Sequence, residues 1–128
     1  MVKMSEDNPR KDVQPTWPEK MVASILEHNE LKYIREYEIL DKFYDFYLLD
    51  KNILIEVHGV YWHAKEVERP KLWQVKNKIN DAIKRAFAKG KNIPMLTIWE
   101  DCISEVDIIA AIKELESATE WKHIELNI

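Results

Sequence analysis

Two acidic residues stand where acids are costly. Asp45 interrupts the aromatic and apolar run Phe43 to Leu49, and Glu56 interrupts the run Ile53 to His58. A carboxylate taken out of water costs several kcal/mol unless it is paired, hydrogen-bonded or bound to a cation. Strands alternate faces, so Asp45 could still turn to a solvated side. The strand carrying Glu56 reads as central and covered on both sides, because Ile53, Leu54, Ile55 and Val57 are apolar on both faces. If the two runs are adjacent strands, about 4.8 Å apart, carboxylates at matching heights can share one cation. Carboxylate oxygens are the donors Mg²⁺ prefers, completed by water and substrate phosphate. Asp45 and Glu56-Val57-His58 are therefore expected to form a metal-dependent phosphodiesterase site.

The 128-residue chain has a formal net charge of −4, which looks wrong for a nucleic-acid ligand until its distribution is considered. Residues 1–68 carry a net −5, residues 69–91 a net +7 and residues 92–128 a net −6. Arg69, Lys71, Lys76, Lys78, Lys84, Arg85, Lys89 and Lys91 face only Asp81 in the middle segment. Local charge, not overall balance, decides whether a phosphate backbone can dock. A solvated helix surface has the same composition.

Several classes are excluded. With 2 glycines there is no Gly-rich phosphate loop, and with Cys102 as the only cysteine there is no disulfide framework and no zinc site needing two thiolates. No run approaches the ~18 apolar residues of a membrane span. Residues 1–15 lack the apolar core of a signal peptide. The expectation is a cytoplasmic protein of a bacterial or phage-infected cell.

The elements that must position these residues follow from periodicity. Residues 1–15 read as a mobile polar arm and residues 16–128 as a single domain. Thr16-Trp17-Pro18-Glu19 fits a capping box ahead of a helix to His28, with Asn29 ending it. Tyr33 to Leu40 and Phe43 to Leu49 read as strands joined by a turn at Asp41-Lys42, and Ile53 to His58 as a third strand of an antiparallel meander. A long helix is expected from Lys71 to Lys89. Its apolar stripe is Leu72, Val75, Ile79, Ala82, Ile83 and Ala86, with Asp81, Asn77 and Lys84 opposite and Gly90 as the stop. Ile93 to Trp99 reads as a strand parallel to its neighbour, and Ile108 to Leu115 as a helix. The last eight residues fit no single element. The order α-β-β-β-α-β-α describes an α/β protein, a mixed central sheet flanked by helices.

A family resemblance rests on these residues. Asp45 with Glu56-Val57-His58 resembles the core of the PD-(D/E)XK nuclease superfamily, with Tyr44 in place of its proline and His58 in place of its catalytic lysine. His58-Gly59-Val60-Tyr61-Trp62-His63 resembles the H-G-x-F-W-H segment of very-short-patch repair (Vsr) endonucleases. Leu72-Trp73 followed by Asn77 and Asp81 resembles their F-W…N-x-x-x-D, and Ile98-Trp99-Glu100 their V-W-E. Glu19 falls where they have a helical glutamate. The EDxHD homing endonucleases share this core and are equally similar. The resemblance spans roughly residues 16–103 and implies a restriction-endonuclease-like fold and a Mg²⁺-dependent DNA endonuclease, with Mn²⁺ as a substitute.

The resemblance also implies roles. Asp45 would be the main metal ligand and the backbone carbonyl of Val57 a second, with Glu56 as the superfamily's further acid. His63 would be the general base, and its ordinary pKa near 6.5 suits that task. Asp81 would orient His63, and His58 would contact the phosphate or a metal-bound water. Tyr61 and Trp62 match intercalating aromatics, and Lys71, Lys76, Asn77, Lys84 and Arg85 are candidate DNA contacts. Each residue has a plainer account as well: His63 as a loop histidine, Asp81 as a solvated acid, Glu19 as the third residue of a capping box. Two departures stand out. The Vsr family's structural zinc is not expected with one cysteine, and Glu56 replaces an apolar Vsr residue. The alternatives to a nuclease are an inactive nucleic-acid-binding module on the same fold and a structural protein docking through its acidic C-terminal helix. Cutting both strands would imply a dimer.

Overall fold

The computed structural model of the chain describes residues 14–60 and 68–127. In chain order it contains helix α1 (Trp17–His28), strands β1 (Tyr33–Ile39), β2 (Lys42–Leu48) and β3 (Ile53–His58), helix α2 (Leu72–Gly90), strand β4 (Met95–Trp99), a short 3-10 turn (Glu100–Cys102), helix α3 (Glu105–Ser117) and strand β5 (His123–Leu126). One five-stranded sheet runs β1-β2-β3-β4-β5. β1, β2 and β3 pair antiparallel, whereas β3, β4 and β5 pair parallel. The expected meander and parallel strand are both present. The chain end unread from the sequence supplies the edge strand β5.

Each face of the sheet carries its own core. Val22 and Leu26 of α1 and Ile108, Ile112 and Leu115 of α3 pack on Phe46, Leu48, Ile53, Ile55, Leu96 and Ile98. On the other face a smaller core joins Ala88 of α2 to Ile39, Tyr44, Leu54 and Met95. Central β3 and β4 are buried along their whole length, as strands covered on both sides must be.

Helix α2 is turned the opposite way from its expected stripe. Leu72 is 71% and Ile79 55% exposed, while Gln74, Asp81 and Ala88 are buried. The polar face goes inward because, beside the small apolar core at Leu54 and Met95, the sheet beneath it carries Lys42, the Tyr44 hydroxyl, Glu56 and His58. Lys42 donates to Asn80 Oδ1 at 2.5 Å, and the Tyr44 hydroxyl donates to the Lys84 carbonyl at 2.7 Å. Buried polar groups on β2 and β3 need partners, and an apolar helix face would leave them unsatisfied.

Helix ends and turns differ from expectation by a residue or two. Gly90 is the last residue of α2 and does not adopt a positive φ. The left-handed position is Asn92, at φ 56°. Asn92 N–H donates to the Lys89 carbonyl and Ile93 N–H to that of Ala88, the two bonds of a Schellman motif. The β1–β2 turn is centred on Leu40 and Asp41, at φ 49° and 66°, rather than on Asp41-Lys42. Two left-handed residues make the tight turn whose twist suits a hairpin.

Candidate active site

The site grows from a flaw in the β1–β2 hairpin. Pairing runs Arg35↔Phe46 and then Tyr37↔Tyr44, passing over Glu36 and Asp45. Glu36 has φ 51°, a left-handed conformation inside a strand. Below this point Tyr33, Phe46 and Leu48 belong to the α1/α3 core; above it Ile39 and Tyr44 belong to the α2 core. Both strands therefore turn over together at Glu36 and Asp45, a disruption of the kind that re-aims side chains beside active sites.

Glu19 completes the group from α1. Thr16 caps that helix, its hydroxyl accepting the Glu19 N–H at 3.4 Å. One carboxylate oxygen each of Glu19, Glu36 and Asp45 lies within 4.8 Å of the others. Their proximity shows in their acidity. Loss of hydration, then the charges of Glu56 and Glu19, push the Asp45 carboxyl well above its ordinary value. Burial and the charge of Glu36 raise Glu19 against the pull of Thr16 and Arg35. Three hard oxygen donors from three elements, with two carboxyls reluctant to ionise, make a set that suits Mg²⁺, Mn²⁺ or Ca²⁺.

A second polar group lies under α2. Glu56 Oε2 accepts from Lys84 Nζ at 3.0 Å, and His58 Nε2 stands 3.8 Å from that oxygen and 3.5 Å from Asp81 Oδ1. Burial alone would raise Glu56, but Lys84 and His58 outweigh it and hold the carboxyl below its ordinary value. Burial and then the Glu56 charge push the Tyr44 phenol to about 12. The His58 ring meets the Trp99 indole edge-on at 5.1 Å. Further along, Thr97 Oγ1 and His123 Nε2 share a 2.8 Å hydrogen bond, and Trp99 Nε1 donates to Glu125 at 2.7 Å.

Two reciprocal contacts join the groups. The register of β2 with β3 ends at Phe46↔Ile55. At the next position Asp45 N–H donates to Glu56 Oε1 at 2.9 Å, and Val57 N–H donates to Asp45 Oδ2 at 2.7 Å. Each carboxylate takes an amide just beyond the last register pair.

The sequence candidates are thus partly assembled. Glu19 and Asp45 come together, joined by Glu36, which the sequence reading missed. Glu56 carries its carboxylate to the group with His58, Asp81 and Lys84, and among the described residues no common cluster of ligand atoms includes it with Asp45. Val57 contributes its N–H to Asp45. Lys71 and Lys76 are exposed, Asn77 and Arg85 half-buried. Lys84 faces inward, with 13% of its side chain exposed. Tyr61, Trp62 and His63, like residues 1–13 of the expected arm at 1–15, lie outside the described residues. A signal for Glu36 did exist. A turn centred on Leu40-Asp41 sets residue 36 opposite residue 45, whereas the expected turn one residue later sets Glu38 there.

No family model matches the sequence, and no curated protein matches it significantly. Among solved structures the chain is similar to the Homing Endonuclease I-Bth0305I Catalytic Domain, with 24% identity, a TM-score of 0.48, and coverage of 80% of this chain and 94% of that one.

Proposed function

We propose that the protein is a metal-dependent DNA endonuclease of the Vsr and EDxHD type, acting in DNA repair or as a phage or homing nuclease. The observation that carries this reading is the convergence of Glu19, Glu36 and Asp45 from α1, β1 and β2, with oxygens within 4.8 Å of one another. Clustered carboxylates repel one another, and a divalent cation relieves that cost. Mg²⁺, or Mn²⁺ in its place, would be held by these three residues, with the Val57 carbonyl as a candidate backbone donor. The bound ion supplies positive charge where a phosphodiester accumulates negative charge during hydrolysis.

This chain's own residues do the rest. Val57 N–H orients the Asp45 carboxylate. His63 is the proposed general base, taking a proton from the attacking water, with Asp81 as the carboxylate that steadies imidazolium charge. Asp81, midway along α2, already has an imidazole neighbour, His58 at 3.5 Å. Exposed Lys71, Lys76 and Lys78, with Arg85, supply phosphate contacts that fix position without reading sequence. Tyr61 and Trp62 are proposed to stack on bases. Cleavage of both strands would require two copies.

Cleavage of supercoiled plasmid tests the reading. Wild type with Mg²⁺ is expected to nick or linearise it, and both EDTA and Asp45→Asn are expected to abolish the products. Intact plasmid, mismatched duplex and RNA with either Mg²⁺ or Mn²⁺ would refute the reading. Binding of DNA without cleavage would leave the inactive binding module.

A further inference from the structure

Glu56 and Lys84 look at first like a second acid for the metal and a basic residue for the phosphate backbone. Glu56, His58 and Asp81 do bring ligand atoms within 4.8 Å of one another, but the closest partners of Glu56 and Lys84 are each other and β2. Both Glu56 oxygens are engaged: Oε1 accepts from Asp45 N–H at 2.9 Å and Oε2 from Lys84 Nζ at 3.0 Å. An ammonium at that distance neutralises the carboxylate and repels an incoming divalent cation. Lys84 is equally committed. Its ammonium lies 5.6 Å from the centre of the Tyr44 ring, and its carbonyl accepts the Tyr44 hydroxyl at 2.7 Å. The residue is clamped to β2 by its backbone and its head group together, and little of its side chain reaches solvent. The other end of the chain of contacts is the backbone of Asp45, one residue past the last β2–β3 register pair.

We propose that Glu56 is a positioning residue: its Oε1 fixes the Asp45 backbone at the point where β2 leaves β3 and so holds Asp45 against Glu19 and Glu36, while Lys84 neutralises the buried carboxylate and links it to α2. The chain of contact is Lys84 Nζ to Glu56, Glu56 to Asp45 N–H, and Asp45 to Val57 N–H. The metal-binding part of this inference rests on the nuclease reading; the positioning of Asp45 does not.

Two readouts on the full chain test it. The first is exchange of the Asp45 amide proton, followed by NMR without metal. In the double variant Glu56→Leu/Lys84→Met the acceptor is gone, and exchange is expected to speed by at least about tenfold relative to Ile55 and Leu96. In Glu56→Gln/Lys84→Met the side-chain oxygen still accepts, and exchange is expected to stay within about threefold of wild type. The second readout is Mn²⁺ affinity by calorimetry. The Gln/Met variant is expected to bind within about threefold of wild type and the Leu/Met variant about 10–100-fold more weakly, the range for groups that orient a ligand. Neither double variant leaves a buried charge unpaired, and such apolar or neutral replacements are commonly tolerated. Should the Leu/Met protein fail to fold, the Gln/Met protein decides alone: rescue of both readouts supports the proposal. An unchanged Asp45 amide in the Leu/Met protein overturns it. So does a Gln/Met protein that loses Mn²⁺ as completely as Asp45→Asn, because Glu56 is then a ligand. A wild type that binds no Mn²⁺ counts against the nuclease reading, and amide exchange still decides the positioning role.

Discussion

Lys84→Met alone removes the counter-charge of Glu56 and leaves the carboxylate in place. The two groups lie 3.0 Å apart, with 13% and 3% of their side chains exposed. At an effective dielectric constant near 20, unit charges at that distance attract by about 5.5 kcal/mol. Removing one partner of a buried pair typically costs about 3–5 kcal/mol, because the other charge is stranded. A domain's whole stability is roughly 5–15 kcal/mol, so the variant is expected to lose a large share of its stability at neutral pH. Acid should rescue it. In the wild type, burial pushes Glu56 up but Lys84 and His58 hold it below its ordinary 4.5. Its contribution is therefore fully present above that value and is lost as pH falls through the lowered folded value. Without the ammonium, burial loses its main opponent and the folded carboxyl titrates above 4.5. The variant then gains stability on protonation, as pH falls through the raised value. Urea unfolding across a pH series should show a deficit of about 3–5 kcal/mol near pH 8 that shrinks steadily toward pH 4. A deficit independent of pH, or below about 1 kcal/mol near pH 8, would mean that Glu56 is not held as a buried carboxylate by Lys84.

Other substitutions probe the orientation of α2, its end and the carboxylate group. Ile79→Ser, on the exposed side, is expected to change stability by less than about 0.5 kcal/mol, whereas Ala88→Leu, in the fully buried contact with the sheet, should cost about 1–3 kcal/mol in the same unfolding assay. Asn92→Val should be about 1–2 kcal/mol less stable than Asn92→Gly, since φ 56° excludes a branched side chain. In metal-free protein the raised Asp45 carboxyl favours the folded state below its ordinary 3.8, and that contribution is lost as pH climbs through the raised folded value. Mn²⁺ at a hundredfold excess over its dissociation constant should add about 2.7 kcal/mol at neutral pH, and Glu36→Gln should remove most of that gain in a thermal melt.

What the sequence revealed tracks how unusual each residue is in its setting. Asp45 and Glu56 stood out because acids inside apolar strands are costly, and both are indeed partnered, Glu56 fully buried and Asp45 half-buried. Glu36 did not stand out, because β1 carries Arg35, Glu36 and Glu38 together and an edge strand is expected to be charged. Its importance comes from register and from a left-handed backbone, and a one-residue error in the turn moved both out of view. The orientation of α2 was illegible for a different reason. Its apolar stripe is real, but the helix packs on Tyr44, Glu56 and His58, and satisfying those groups outweighs burying Leu72 and Ile79. Beneath α1 and α3 the sheet presents Phe46, Leu48, Ile53, Ile55, Leu96 and Ile98, and there apolar helix faces meet apolar strand faces.

Glu19, Glu36 and Asp45 are proposed to hold together the metal on which DNA cleavage depends, and Glu36 is the member no motif supplied. The most direct measurement is the rate of plasmid nicking as a function of Mg²⁺ concentration, for wild type beside Glu36→Gln. Metal-dependent nicking is expected of the wild type and, in the variant, a rate lower by about tenfold or more with a higher Mg²⁺ requirement. Nicking by Glu36→Gln at the wild-type rate and the same Mg²⁺ midpoint would contradict a metal-binding role for Glu36.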